Sequence, residues 1–129
     1  MKNDNDLIME TLFIFFKALD NCSGESLKQA FDKSGTIHMF DPDEDQIIHD
    51  LALNGWPDDL DKNKNNPNYF FNKEKSNKEV LFIDITEDVA CAKVKWDYQS
   101  LVFTDYYHLI KDKDRWVIVD KIWNTKPKK

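Results

Sequence analysis

The sequence predicts an α+β fold in which a cone-shaped, curved antiparallel sheet wraps around N-terminal helices. Three observations predict it. Apolar residues near the N-terminus recur at steps of three and four, which marks an amphipathic helix. The last third alternates apolar and polar side chains at a period of two, broken only by short turns. Helical patterns come first and the longest strands last, the order of an α+β layered architecture. With 129 residues the chain has room for one domain, 1–129.

Ile8, Leu12, Phe15, Phe16 and Leu19 form one helical stripe between Asp6 and Leu19, with Asp4, Asn5 or Asp6 able to cap the start. Its many phenylalanines make the stripe wide, so it needs a large partner such as a sheet. Asn21 to Gly24 breaks the helix. A second short helix is expected from Glu25 to Lys33, with Gly35 as its stop. Thr36 to Phe40 reads as a strand, Asp41 to Asp45 as a turn, and Gln46 to Leu51 as the returning strand. Pro57, after Trp56, suits the first turn of a helix. Residues 61–77 read as a long polar surface connection pinned by Tyr69, Phe70 and Phe71.

The meander follows. Glu79 to Ile85 is a strand. From Val89 to Tyr98, Ala90, Ala92, Val94, Trp96 and Tyr98 share one face, with Lys93, Lys95 and Asp97 on the other. Leu101 to Ile110 and Arg115 to Trp123 are two more strands, joined by a tight turn at 112–114. The basic end, Lys126 to Lys129, reads as a frayed tail. A curved sheet closed by helices leaves a cone with an open mouth, a natural place for a small molecule.

Composition excludes several classes. The formal net charge is −6, and Arg115 is the one arginine, so a nucleic-acid partner is not expected. The apolar run from Leu7 to Phe16 is interrupted by Glu10 and is too short to span a bilayer. A cytoplasmic protein without a membrane partner is the expectation. Cys22 and Cys91 do not form a disulfide framework. His38, His49 and His108 have no zinc spacing with them, so no metal is expected. Asp41 to Asp45 has acids at the first, third and fifth positions of a calcium loop. Gln46 and Ala52 stand where such a loop needs glycine and glutamate, so a solvated turn is the better reading. Glycines 24, 35 and 55 are isolated, so there is no phosphate loop, and no cofactor is expected.

Two constellations invite chemistry. In the tightest register of the last hairpin, Asp105 faces Asp120, Tyr107 faces Ile118 and Leu109 faces Trp116. Two carboxylates on an apolar face would form an acid–base pair; a slipped register would part them. Trp56, Tyr69, Phe70, Phe71 and Trp96 can stack on a flat heteroaromatic ligand, or serve simply as core. On the other face of the same strand, Thr104, Tyr106 and His108 suit a partly wet interface, as does Trp123.

The stretch Phe103-Thr104-Asp105-Tyr106-Tyr107-His108-Leu109-Ile110-Lys111, followed by a turn and Trp116-Val117-Ile118-Val119-Asp120-Lys121, resembles the nuclear transport factor 2-like superfamily, closest to its lumazine-binding branch. The usual glycine of the last turn is missing, with Asp114 nearest its place. The resemblance implies a cystatin-like roll and a homodimer formed through the sheet. It does not imply one activity, since this fold hosts isomerases, dehydratases, cyclases and scaffolds. The resulting expectation is a small-molecule pocket protein. Its ligand would touch Phe13, Phe16, Trp56, Phe82, Trp96 and Ile118. Asp105, Asp120 and Tyr107 would be the catalytic candidates of a cofactor-free acid–base enzyme. The other alternative is a non-catalytic dimeric assembly module.

Overall fold

Asn3 starts the first helix, its side chain accepting from the Asp6 amide at 2.9 Å. The cap lies just before the three candidates read from the sequence. A computed structural model describes residues 2–129. Helix α1 spans Asp4–Asp20 and buries Ile8, Leu12, Phe15, Phe16 and Leu19. Thr11 Oγ1 donates to the Trp116 carbonyl at 2.7 Å and ties the helix to the sheet beneath it. Helix α2, Gly24–Ala30, is capped by Ser23, whose Oγ accepts from the Ser26 amide at 3.1 Å.

Strand β1, Phe31–Asp41, follows α2 directly. The sequence reading carried that helix on to Lys33. It stops earlier because Phe31 leaves helical geometry to pair with Ile118 in the sheet, with its ring on Phe15 at 5.6 Å between centroids. Strand β2, Gln46–Leu51, returns antiparallel to β1. Helix α3, Trp56–Lys62, has the expected Pro57 in its first turn and leads into the polar connection, which holds a 3-10 turn, Phe70–Asn72. All three aromatics pin this connection: Tyr69 and Phe71 pack against the core, and Phe70 sets its ring 4.8 Å from Tyr98 while its carbonyl accepts from the Tyr98 hydroxyl.

The remaining strands are β3 (Lys78–Thr86), β4 (Val89–Tyr98), β5 (Leu101–Asp112) and β6 (Arg115–Pro127). They build one curved six-stranded sheet in the order β2-β1-β6-β5-β4-β3. Every neighbour pair is antiparallel except β1 with β6, which is parallel. β6 runs past the expected end at Trp123, because Asn124 to Pro127 pair with Leu101 to Thr104 and Lys128 donates to the Ser100 carbonyl at 2.7 Å. The inner face of β4 is the alternating set expected, Ala90 to Tyr98, and packs under α1.

The last hairpin has a different register from the one read from the sequence. Asp112 pairs with Arg115 around a two-residue turn, with Lys113 at φ 60°. Leu109 then faces Ile118, but His108 faces Asp120, so Val119 is an extra residue in β6. This bulge inverts the alternation of β6 beyond it. Lys121 and Trp123 turn inward, opposite Tyr107 and Asp105, and Asp120 turns out.

Candidate functional site

Between the open end of the sheet, α3 and the 3-10 turn lies a cavity of about 540 Å³. Its walls are largely aromatic: Phe15 from α1, Trp56 from α3, Tyr69 to Phe71 from the connection, and Trp96, Phe103 and Trp123 from three strands. Ring stacking holds them in place. Trp96 lies on Phe103 at 4.2 Å with nearly parallel planes, and Trp56 meets Phe15 edge-on at 5.9 Å. Tyr69 donates to Asp59 Oδ2 at 2.8 Å; burial and that carboxylate raise its phenol above the usual range. Walls of this kind favour flat rings.

Asp105 and Lys121 bring charge to this apolar cavity. Asp105 is 1% exposed. Its Oδ2 accepts from Trp96 Nε1 at 3.1 Å and from the Tyr107 hydroxyl at 3.0 Å. Its Oδ1 is buried without a hydrogen-bond partner. Lys121 Nζ stands 3.9 Å from Oδ1 and 4.1 Å from the centre of the Trp123 ring. Burial lowers the Lys121 pKa, and the Asp105 charge works against that shift. Tyr107 is held well above the ordinary phenol value, first by burial and then by Asp105. At neutral pH it is therefore a fixed hydroxyl donor. The floor thus offers one free acceptor oxygen beside an ammonium donor.

The residues expected from sequence divide sharply. Trp56, Trp96 and Asp105 line the cavity, and Tyr107 supports Asp105 from behind. Asp120 does not join Asp105, because the turn and the bulge at Val119 place it on the outer face. There it accepts from Thr36 Oγ1 at 2.7 Å and lies 3.1 Å from His38 Nδ1 and 3.6 Å from His108 Nδ1. The expected two-aspartate pair is therefore replaced by an aspartate and a lysine. Phe13 is 49% exposed and Phe82 is 47% exposed, so neither faces the cavity. Phe13 falls outside the buried stripe of α1. Phe82 follows a break in the β3–β4 register and pairs with Lys93 on the outer face. Phe16 and Ile118 are buried in solid core instead of the cavity wall.

Lys121 and Trp123 were missed as site residues. Simple alternation from Trp116 and Ile118 puts both on the wrong side, and only the inserted Val119 corrects this. A local signal exists in the run Ile118-Val119-Asp120-Lys121-Ile122-Trp123, where no single strict alternation keeps every large apolar residue inside. Among the described residues, no three His, Cys, Asp or Glu side chains converge as a metal site requires. No helix there is long and apolar enough to cross a membrane.

The fold class is that of nuclear transport factor 2-like proteins. An NTF2-like protein of unknown function from Shewanella baltica superposes with a TM-score of 0.79 and 26% identity, over 96% of this chain and 94% of that one. A second, from Methylobacillus flagellatus, gives a TM-score of 0.73 and 27% identity, over 95% and 92%. The S. rosetta CaMKII hub shares the fold at 11% identity, with a TM-score of 0.67 over 98% and 99%. The chain belongs to the family described as "Putative lumazine-binding", whose model matches residues 3–124. No curated protein matches it.

Proposed function

We propose that this protein binds a small planar ring molecule in the aromatic cavity above Asp105 and Lys121. The observation that carries this reading is the cavity itself. About 540 Å³ lies between aromatic walls, and the floor is polar. That size falls within the range of small-molecule sites, roughly 300–1,000 Å³. The family description names lumazine, a flat heteroaromatic ring, and a ring of that shape suits these walls. The test is a thermal-shift screen of the native chain against pterins, flavins, steroids and polyketide-like rings. A ligand at a hundred times its Kd stabilises by about 2.7 kcal/mol, or roughly 10 °C in a domain of this size. No shift with any of them sinks the reading.

A homodimer through the outer sheet face accompanies this proposal. Phe40, Ile47, Tyr106 and Ile122 are each at least 39% exposed and border one shallow apolar groove with His38. Exposed apolar side chains gathered in this way mark association surfaces. Light scattering behind a sizing column should give twice the 15.3 kDa chain mass, and Ile47→Asp should return it to one. A monomeric native protein rejects the dimer.

A further inference from the structure

Resting on the pocket reading above, we infer that the cavity selects an uncharged planar ring carrying a lactam edge. In such an edge a ring N–H sits beside a C=O. Asp105 Oδ1 would accept from the N–H, and Lys121 Nζ would donate to the carbonyl.

The floor has an unmet demand for both partners. The two protein donors that reach Asp105, Trp96 Nε1 and the Tyr107 hydroxyl, both go to Oδ2. Oδ1 has none, although the side chain is only 2% exposed. An ionised carboxylate only accepts, so the missing group is a donor. Lys121 Nζ does not supply it. At 3.9 Å it lies beyond the roughly 3.2 Å reach of an N–H···O bond. Nζ, with three protons and a side chain 9% exposed, in turn calls for an acceptor.

Spacing and charge then narrow the ligand. Standard bond lengths put the N and O of a lactam edge roughly 2.2 Å apart. Two hydrogen bonds of about 2.9 Å that splay slightly outward from such an edge end on atoms separated as Oδ1 and Nζ are. Their separation is too long for a direct bond and wide enough to bracket this edge. Asp59 also borders the cavity, but its two oxygens already accept from the Tyr69 hydroxyl and Asn63 Nδ2, so one unmet negative and one positive group remain, both on the floor. A cationic ligand would face Lys121, an anionic one would face Asp105, and a neutral edge with a donor beside an acceptor satisfies both. The aromatic walls require the rest of the molecule to be flat.

The experiment is calorimetric titration of the native chain with two probes of similar shape. One is 2-quinolinone, which carries the lactam edge. The other is 2-methoxyquinoline, which has acceptors but no N–H. The lactam should bind at least about ten-fold more tightly, because its analogue leaves the buried Oδ1 unpaired. The same pair is then titrated into Asp105→Asn. There the amide oxygen faces Trp96 and Tyr107, and the amide nitrogen replaces Oδ1 as a donor. The preference should fall to about one or invert, although the extra methyl group is unchanged. Equal binding of the two probes to the native chain overturns the lactam edge and leaves the pocket standing. A preference that persists unchanged in Asp105→Asn overturns it too. Binding of neither probe, when a ring of the wider screen does bind, also overturns the edge alone. If no ring binds at all, the pocket reading falls and the lactam edge with it. Should the variant not fold, the native comparison still decides.

Discussion

Replacing Lys121 with methionine tests the buried charge pair directly. Methionine keeps most of the lysine stem but leaves Asp105 as a carboxylate 1% exposed, with no counter-charge at 3.9 Å. At an effective dielectric of about 20, the lost attraction is roughly 4 kcal/mol. Three effects reduce this, the first being Lys78, whose ammonium also feels the Asp105 charge and remains in the variant. Methionine relieves the desolvation of the ammonium, the same effect that lowers the Lys121 pKa. Asp105 also keeps its two hydrogen bonds from Trp96 and Tyr107. A net loss of about 2–3 kcal/mol is expected. In urea denaturation at pH 7 the midpoint should fall with an unchanged slope, and Tm should drop by roughly 10 °C. The informative step is to add Asp105→Asn to this background. Asparagine removes the stranded charge and still offers an oxygen to Trp96 and Tyr107. The double variant should therefore be more stable than Lys121→Met alone, by about 1–2 kcal/mol. A Lys121→Met protein as stable as the native chain refutes the reasoning. So does a double variant less stable than the single.

Tyr107→Phe should cost about 1.5–3 kcal/mol at pH 7, since it deletes a hydrogen bond to a buried carboxylate at 3.0 Å. The folded Tyr107 pKa is raised, so above pH 10 the unfolded chain ionises this phenol while the native one keeps its proton. Native stability then falls as pH rises. The phenylalanine variant lacks that loss, so the gap between the two proteins should narrow from pH 9 to 11, as denaturant titrations at each pH would show. Gly24→Ala should destabilise by about 1–3 kcal/mol, because its Cβ would lie 2.5 Å from the Pro57 carbonyl oxygen and 2.7 Å from Asp61 Oδ2. The Asp61 side chain, which accepts from the Gly24 amide at 2.7 Å, would also be displaced; a Tm equal to that of the native protein refutes this. Trp56→Ala should weaken binding of any ring found in the screen at least ten-fold, measured by titration, because it removes one aromatic wall.

Sequence alone determined the layer architecture, the α1 stripe and the inner face of β4. Each rests on a local period that packing did not override: Ile8, Leu12, Phe15, Phe16 and Leu19 are buried, as are Ala92, Val94, Trp96 and Tyr98. It also singled out Asp105, an acid set among inward-facing apolar neighbours, and the aromatic wall residues Trp56 and Trp96. Tertiary structure decided what Asp105 meets. The turn at Lys113 and the extra residue Val119 shift β6 against β5, exchanging Asp120 for Lys121 at the cavity floor. Periodicity shows only a conflict there, since no strict alternation keeps Ile118, Ile122 and Trp123 all inside; which residue is extra is decided by pairing across the sheet. Phe31 shows the same limit. Its place at the end of an amphipathic pattern looked helical, yet parallel pairing with Ile118 drew it into β1. Long-range hydrogen bonding chose the register, and the register decided which charge entered the pocket.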